Sequence, residues 1–200
     1  MQGVRRLEAF SDGVFAIAIT LLVLEIKVPA RDADFLPALG ALWPSFAAYF
    51  VSFIYVGLWW IATHSVTAMF ARVDGSLLLL YLIFLMTIAF VPFPTAALAD
   101  RLESGHQTGL AAAFYGATML LPTLGGNGML FYLKFHPRVV GRPELLRAWF
   151  GWNAFISIPI YAAAMVVSLV ATPIGLVMYA LAPAFYALTY VSGRIPLSDE

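Results

Sequence analysis

The stretch RRLEAFSDGVFAIAITLLVLEIKVP, residues 5–29, decides how the whole chain is read. Between positions 13 and 24 it holds one polar side chain, Thr20, and a carboxylate, Asp12, stands just ahead of that run. A helix over residues 7–28 supplies the roughly 20 apolar residues needed to cross a hydrocarbon core about 30 Å thick. A start at Gly13 with Ser11 or Asp12 as cap would leave the helix short. Two arginines before an apolar run look like a signal peptide, but Glu8 and Asp12 interrupt its start and Glu25 and Lys27 end it. With no small-residue cleavage site after it, the segment is read as mature helix.

The rest of the chain repeats the pattern. Of 200 residues, 62% are hydrophobic and 11% are charged, against about a quarter charged in soluble domains. Mean hydropathy is +0.88. This composition predicts an all-α integral membrane protein, one domain over residues 1–200 with six transmembrane helices. Five further spans are expected at 42–69, 77–98, 109–135, 146–170 and 174–191. Pro92 and Pro94 close the third, and Thr172-Pro173 links the last two as an antiparallel hairpin. With the N-terminus inside, Arg5, Arg6, Arg72, Lys134, Arg138, Arg142, Arg147 and Arg194 are cytoplasmic, and only Lys27, Arg31 and Arg101 lie outside. That bias places both termini in the cytoplasm.

Composition also narrows the chemistry. Net charge is zero, and no basic run interleaves with aromatics, so no nucleic-acid partner is expected. There is no cysteine, hence no disulfide, thiolate nucleophile or cysteine metal site. The histidines at 64, 106 and 136 lack metal-ligand or paired-carboxylate spacing. Neither an enzyme, a metal centre nor a resident cofactor is expected. Ionisable groups inside a membrane cost about 2.5–3.5 kcal/mol at a helix centre, so the few present are functional candidates. They are Asp12 and His64, joined by the amide of Asn153. His64 follows Trp60 by four residues and shares its helix face. Asp12 needs an internal partner, with Arg6, His64 and Asn153 the candidates. TLGGNG at 123–128 faintly resembles the TVGYG filter of potassium channels, but lacks the tyrosine and a preceding pore helix. It reads as a close-packed or kinked region beside Pro122. In the first helix, Ile17, Leu21 and Leu24 fall within about 60° of one another, with Thr20 beside them. On periodicity alone, lipid-facing or core side chains account for that stripe.

Arg6 and then Phe10-Ser11-Asp12, followed by GVFAIAITLLVLEIKVP, resemble the signature of the transmembrane protein 175 family, the lysosomal potassium channels with bacterial relatives. The resemblance covers about 25 residues, and six spans with short loops agree with it in architecture. It implies a bacterial-type, single-unit subunit of a homotetrameric, potassium-selective channel, multi-pass in a bacterial inner membrane, with membrane lipids and potassium ions as its other partners. By the same resemblance, the first helix of each subunit lines the pore without a re-entrant loop. Ile17 corresponds to the main constriction, Leu21 and Leu24 to further apolar rungs of the gate, and Thr20 to a selectivity layer. Arg6, Phe10, Ser11 and Asp12 match the structural signature, and Trp60 and His64 fit the family's polar network, with Asn153 a further candidate for it from its own position.

A rival stays open at this stage. An ion-coupled secondary transporter would use TLGGNG and the prolines at 92, 94, 122 and 159 to break helices around a midplane site. A scaffolding membrane subunit without transport activity is a third reading.

Overall fold

Apolar side chains at positions 7, 15, 18 and 22 recur at helical spacing, and this is the face on which the first helix, α1 (Gln2–Leu24), packs. The computed structural model describes the backbone of residues 2–150 and 152–191 and the side chains of 3–150 and 155–188. α1 starts ahead of residue 7, because Arg5, Arg6 and Glu8 are good helix formers. It stops at Leu24 instead of running to 28. Glu25 N–H bonds Leu22 O and Ile26 N–H bonds Val23 O, tightening the last turn, and Pro29 lies just beyond.

A short α2 (Phe35–Ala41), too brief to register as a span, precedes α3 (Trp43–Thr67), which matches the second expected span closely. The third departs from expectation. Pro92 and Pro94 do not close it: α4 (Gly75–Phe90) hands over at Val91 to α5 (Pro92–Ser104), and the apolar stretch continues from Gly75 to Ser104. Pro92 has no N–H to bond back into α4, yet its fixed φ suits the first position of a new helix, so the span hinges there without ending.

α6 (Thr108–Phe135) runs unbroken through Pro122 and through TLGGNG, so residues 123–128 are helical. A 3-10 turn (Pro137–Val139) leads to α7 (Pro143–Trp149) and α8 (Trp152–Val170). The fifth expected span, 146–170, is therefore two helices. α9 (Thr172–Val191) begins with Thr172-Pro173 as its first turn, so Ala171 alone joins it to α8. Among the described residues three segments are long and apolar enough to cross a membrane, Gly3–Leu24, Trp43–Thr67 and Gly75–Ser104; the apolar stretches of α8 and α9, Phe155–Val170 and Thr172–Leu188, are shorter.

α6 packs against α4, α5, α8 and α9, whereas α1 sits against α3 and α4. The hairpin of α8 and α9 closes tightly because Gly175 has no side chain: a Cβ there would stand 2.0 Å from Ser168 Oγ and 2.9 Å from its Cα. Several buried polar groups find partners inside the bundle, as a membrane favours. Ser52 Oγ lies 2.8 Å from Thr95 Oγ1 and 2.9 Å from the Tyr115 hydroxyl, and Tyr55 donates to Tyr179 O at 2.8 Å.

The basic segments gather at one end. Ala71 N–H bonds Val139 O at 2.8 Å and Gly141 N–H bonds Met69 O at 2.7 Å, tying the loop after α3 to the loop after α6. Arg5 and Glu8 of α1 border the same depression as Ala71, Gly141 and Arg142. Nearby Asp74 caps α4, accepting from Leu77 N–H at 2.9 Å and from the Tyr132 hydroxyl at 2.8 Å. These two donors hold its carboxyl below the usual carboxylate range. At the other end Lys27 pairs with Asp100 at 2.9 Å, and this contact raises the Lys27 ammonium above its ordinary value.

Candidate permeation site

α1 presents two faces of opposite fate. Leu7, Ser11, Phe15, Ala18 and Leu22 are buried within the subunit, Leu22 completely, and Phe15 meets Phe84 of α4 with ring centroids 6.2 Å apart. Ile17 is 61% exposed, Leu21 40% and Leu24 74%. The stripe identified from spacing therefore lies off the subunit's own core and stays exposed among the described residues.

Thr20 is exposed beside that stripe, and its hydroxyl donates to Ile17 O at 2.9 Å. The hydrogen is committed to the helix backbone, which leaves oxygen lone pairs to accept or to face a cation.

The signature residues hold the start of α1. Ser11 is buried and accepts from the Tyr81 hydroxyl of α4 at 3.1 Å. Asp12 Oδ1 accepts from Trp60 Nε1 of α3 at 2.9 Å. His64 Nδ1 lies 3.0 Å from Trp60 O; a carbonyl only accepts, so this nitrogen carries the hydrogen. The His64 ring also meets the Trp60 ring edge-on at 4.7 Å.

The partner of Asp12 is thus the Trp60 indole, not Arg6, His64 or Asn153. An indole N–H is a donor with no competing acceptor role, and its long reach from α3 meets the carboxylate directly. Arg6 is exposed and makes no ion pair among the described residues. Phe10 is exposed as well. Asn153 falls within α8, but its side chain lies outside the described residues. A depression of about 10 Å³ remains between Glu8, Ser11, Asp12, Thr63, His64 and Tyr81, room for one water molecule.

Tyr81 is the member of this assembly that sequence reasoning missed. Its signal was present: it is the sole hydroxyl in the otherwise apolar run 77–86. A tyrosine buried in such a run needs a partner for its hydroxyl, and Ser11 supplies it. Among the described residues no group of three His, Asp or Glu side chains could hold a metal ion. A separate cavity of about 120 Å³ lies away from α1, between α3, α6 and α8, lined by Tyr55, Trp59, Pro122, Asn127 and Tyr161 among others.

Comparison with known proteins follows the same geometry. The family described as "Endosomal/lysosomal potassium channel TMEM175" matches residues 6–92, which include most of α1 with its signature, α3 and α4. A potassium channel of Streptomyces collinus is 48% identical over 141 residues, covering 67% of this chain and 68% of the relative. The mouse endosomal/lysosomal proton channel TMEM175 is 44% identical over 96 residues, covering 43% of this chain but only 19% of the mouse protein. Among solved structures, the crystal structure of a lysosomal potassium-selective channel TMEM175 homolog from Chamaesiphon minutus superposes with a TM-score of 0.85 at 32% identity, over 94% of this chain and 98% of the other. The chain therefore shares the all-α membrane-channel fold of that homolog, and it belongs to the TMEM175 family.

Proposed function

We propose that this chain is one subunit of a homotetrameric, potassium-selective channel in a bacterial inner membrane. Each subunit is a single domain contributing six spans, with α4 and α5 together forming the third, and with both termini cytoplasmic. The first helix of each copy lines a central pore, with no re-entrant loop. The observation that carries this reading is the bare apolar stripe of Ile17, Leu21 and Leu24, on a helix anchored through its opposite face, in a chain that matches a potassium-selective homolog over nearly its full length. A ring of isoleucines offers an ion nothing in exchange for its water, so a narrow ring stops conduction by dewetting and a wider one admits hydrated ions. Thr20, adjacent to that ring, presents hydroxyl oxygens to a partly dehydrated cation. Ser11 and Asp12 keep the helix in register through Tyr81 and Trp60, a positioning role.

Orientation rests on the basic residues. Arg5, Arg72, Arg138 and Arg142 belong to segments that meet at one end, and Lys27 sits at the other, the asymmetry that the positive-inside rule reads as cytoplasmic against external. The transporter alternative has lost its main support, because α6 and α8 pass through Pro122 and Pro159 unbroken and Pro92 opens a helix. Animal relatives carry the name proton channel, so the permeant ion needs a direct assay. The test is a bi-ionic reversal potential from purified protein in a planar bilayer, with potassium against sodium and then a pH gradient. A reversal near the potassium equilibrium potential is expected. Saturable, gradient-coupled uptake without single-channel currents would overturn the proposal.

A further inference from the structure

α6 has 28 residues and is about 42 Å long at 1.5 Å per residue. The hydrocarbon core is about 30 Å thick and the bilayer with its headgroups about 40–45 Å, so with α6 crossing as in the proposed six-span arrangement its last turn reaches headgroup level. Lys134 stands in that turn. There the end of α6, the 3-10 turn and α7 border an open cavity of about 540 Å³. Its wall is apolar, with Leu133, Val140, Leu146 and Phe150, and two cations border it, Lys134 and Arg147. Lys134 Nζ lies over the Phe150 ring, 4.7 Å from its centroid. Both cations are exposed, and neither makes an ion pair among the described residues; Glu144, in the first turn of α7, makes none either.

We propose that this cavity binds the headgroup of an anionic phospholipid. The planar Arg147 guanidinium and the Lys134 ammonium hold the phosphate oxygens, a fork and a point charge on one anion. The apolar wall receives the glycerol end of an acyl chain, a contact that a soluble phosphate has no group to make. Two exposed cations at the membrane surface are also where anionic lipids concentrate. The inference rests on the membrane placement of the helices and not on the pore, so it is read without measuring conduction.

The experiment is native mass spectrometry of the purified full-length protein, delipidated in neutral detergent and titrated with phosphatidylglycerol or with phosphatidylcholine. Selective retention of phosphatidylglycerol is expected, and Lys134→Gln with Arg147→Gln lowers its apparent affinity about tenfold. Arg138→Gln removes one charge from the same loop but does not line the cavity, and it leaves binding unchanged. Arg147→Lys, which retains charge without the fork, gives an intermediate loss and guards against a misfolded double variant. Three results overturn the proposal: equal binding of both lipids, a loss in Arg138→Gln equal to that in the double variant, or displacement of the lipid by millimolar inorganic phosphate.

Discussion

Replacing Ile17 by asparagine separates a pore-facing residue from a merely exposed one. A fully buried isoleucine stabilises a fold by about 1.5–3 kcal/mol. With 61% of Ile17 outside its own subunit, only about two-fifths of that is at stake, about 1 kcal/mol, and the subunit keeps its fold. The exposed portion corresponds to about 1–2 kcal/mol of apolar surface per copy, so four copies set an upper limit of roughly 4–8 kcal/mol on the hydrophobic barrier. Contacts across the axis hide part of this area, yet removing as little as about 1.4 kcal/mol from the barrier speeds permeation tenfold. Potassium efflux from proteoliposomes carrying Ile17→Asn should therefore rise about tenfold or more. Leu22→Ala is the counterpart on the buried face. It should cost about 2–5 kcal/mol of stability, because Leu22 is fully enclosed, without a comparable gain in flux. If Ile17→Asn assembles normally and its efflux stays within about twofold of the parent, the barrier does not reside in this ring.

Three further outcomes are expected. Trp60→Phe removes the indole donor to Asp12 but retains an aromatic ring beside His64; the bond is partly exposed, so the loss is about 1 kcal/mol, and differential scanning fluorimetry should register a midpoint about 2–4 °C lower. An unchanged midpoint would remove Asp12 from the anchoring role. Thr20→Val keeps the shape of the side chain and deletes its oxygen, so currents persist while the bi-ionic reversal potential moves toward indifference between potassium and sodium; an unmoved potential would relieve Thr20 of any part in selectivity. Asp74 has a lowered folded value, so its stabilising contribution is present above the ordinary carboxylate pKa and disappears as pH falls through the folded one. The gap in melting temperature between the parent and Asp74→Ala should be open at neutral pH and should narrow on acidification, and a gap independent of pH would mean that the cap does not act through its charge.

Much of this protein was legible before any coordinates. Hydropathy adds up locally along a chain, so the membrane class and the approximate positions of the first three apolar segments followed from composition and run length. Helical periodicity likewise put Ile17, Leu21 and Leu24 on one face of α1 from residue spacing alone. Which face of α1 turned inward was not readable, because lipid tails are as apolar as a packed core and hydropathy does not distinguish them. That choice was made by the packing of the face with Phe15 and Leu22 against α3, α4 and α5, with Phe15 meeting Phe84 of α4. The partner of Asp12 was hidden for a related reason. Trp60 is 48 residues away, and a hydrogen bond depends on a distance of about 3 Å that only the packing of two helices sets. The hinge at Val91 and the split between α7 and α8 belong with these, since a proline or a polar residue permits a break, and the surrounding helices decide whether the chain bends there or continues.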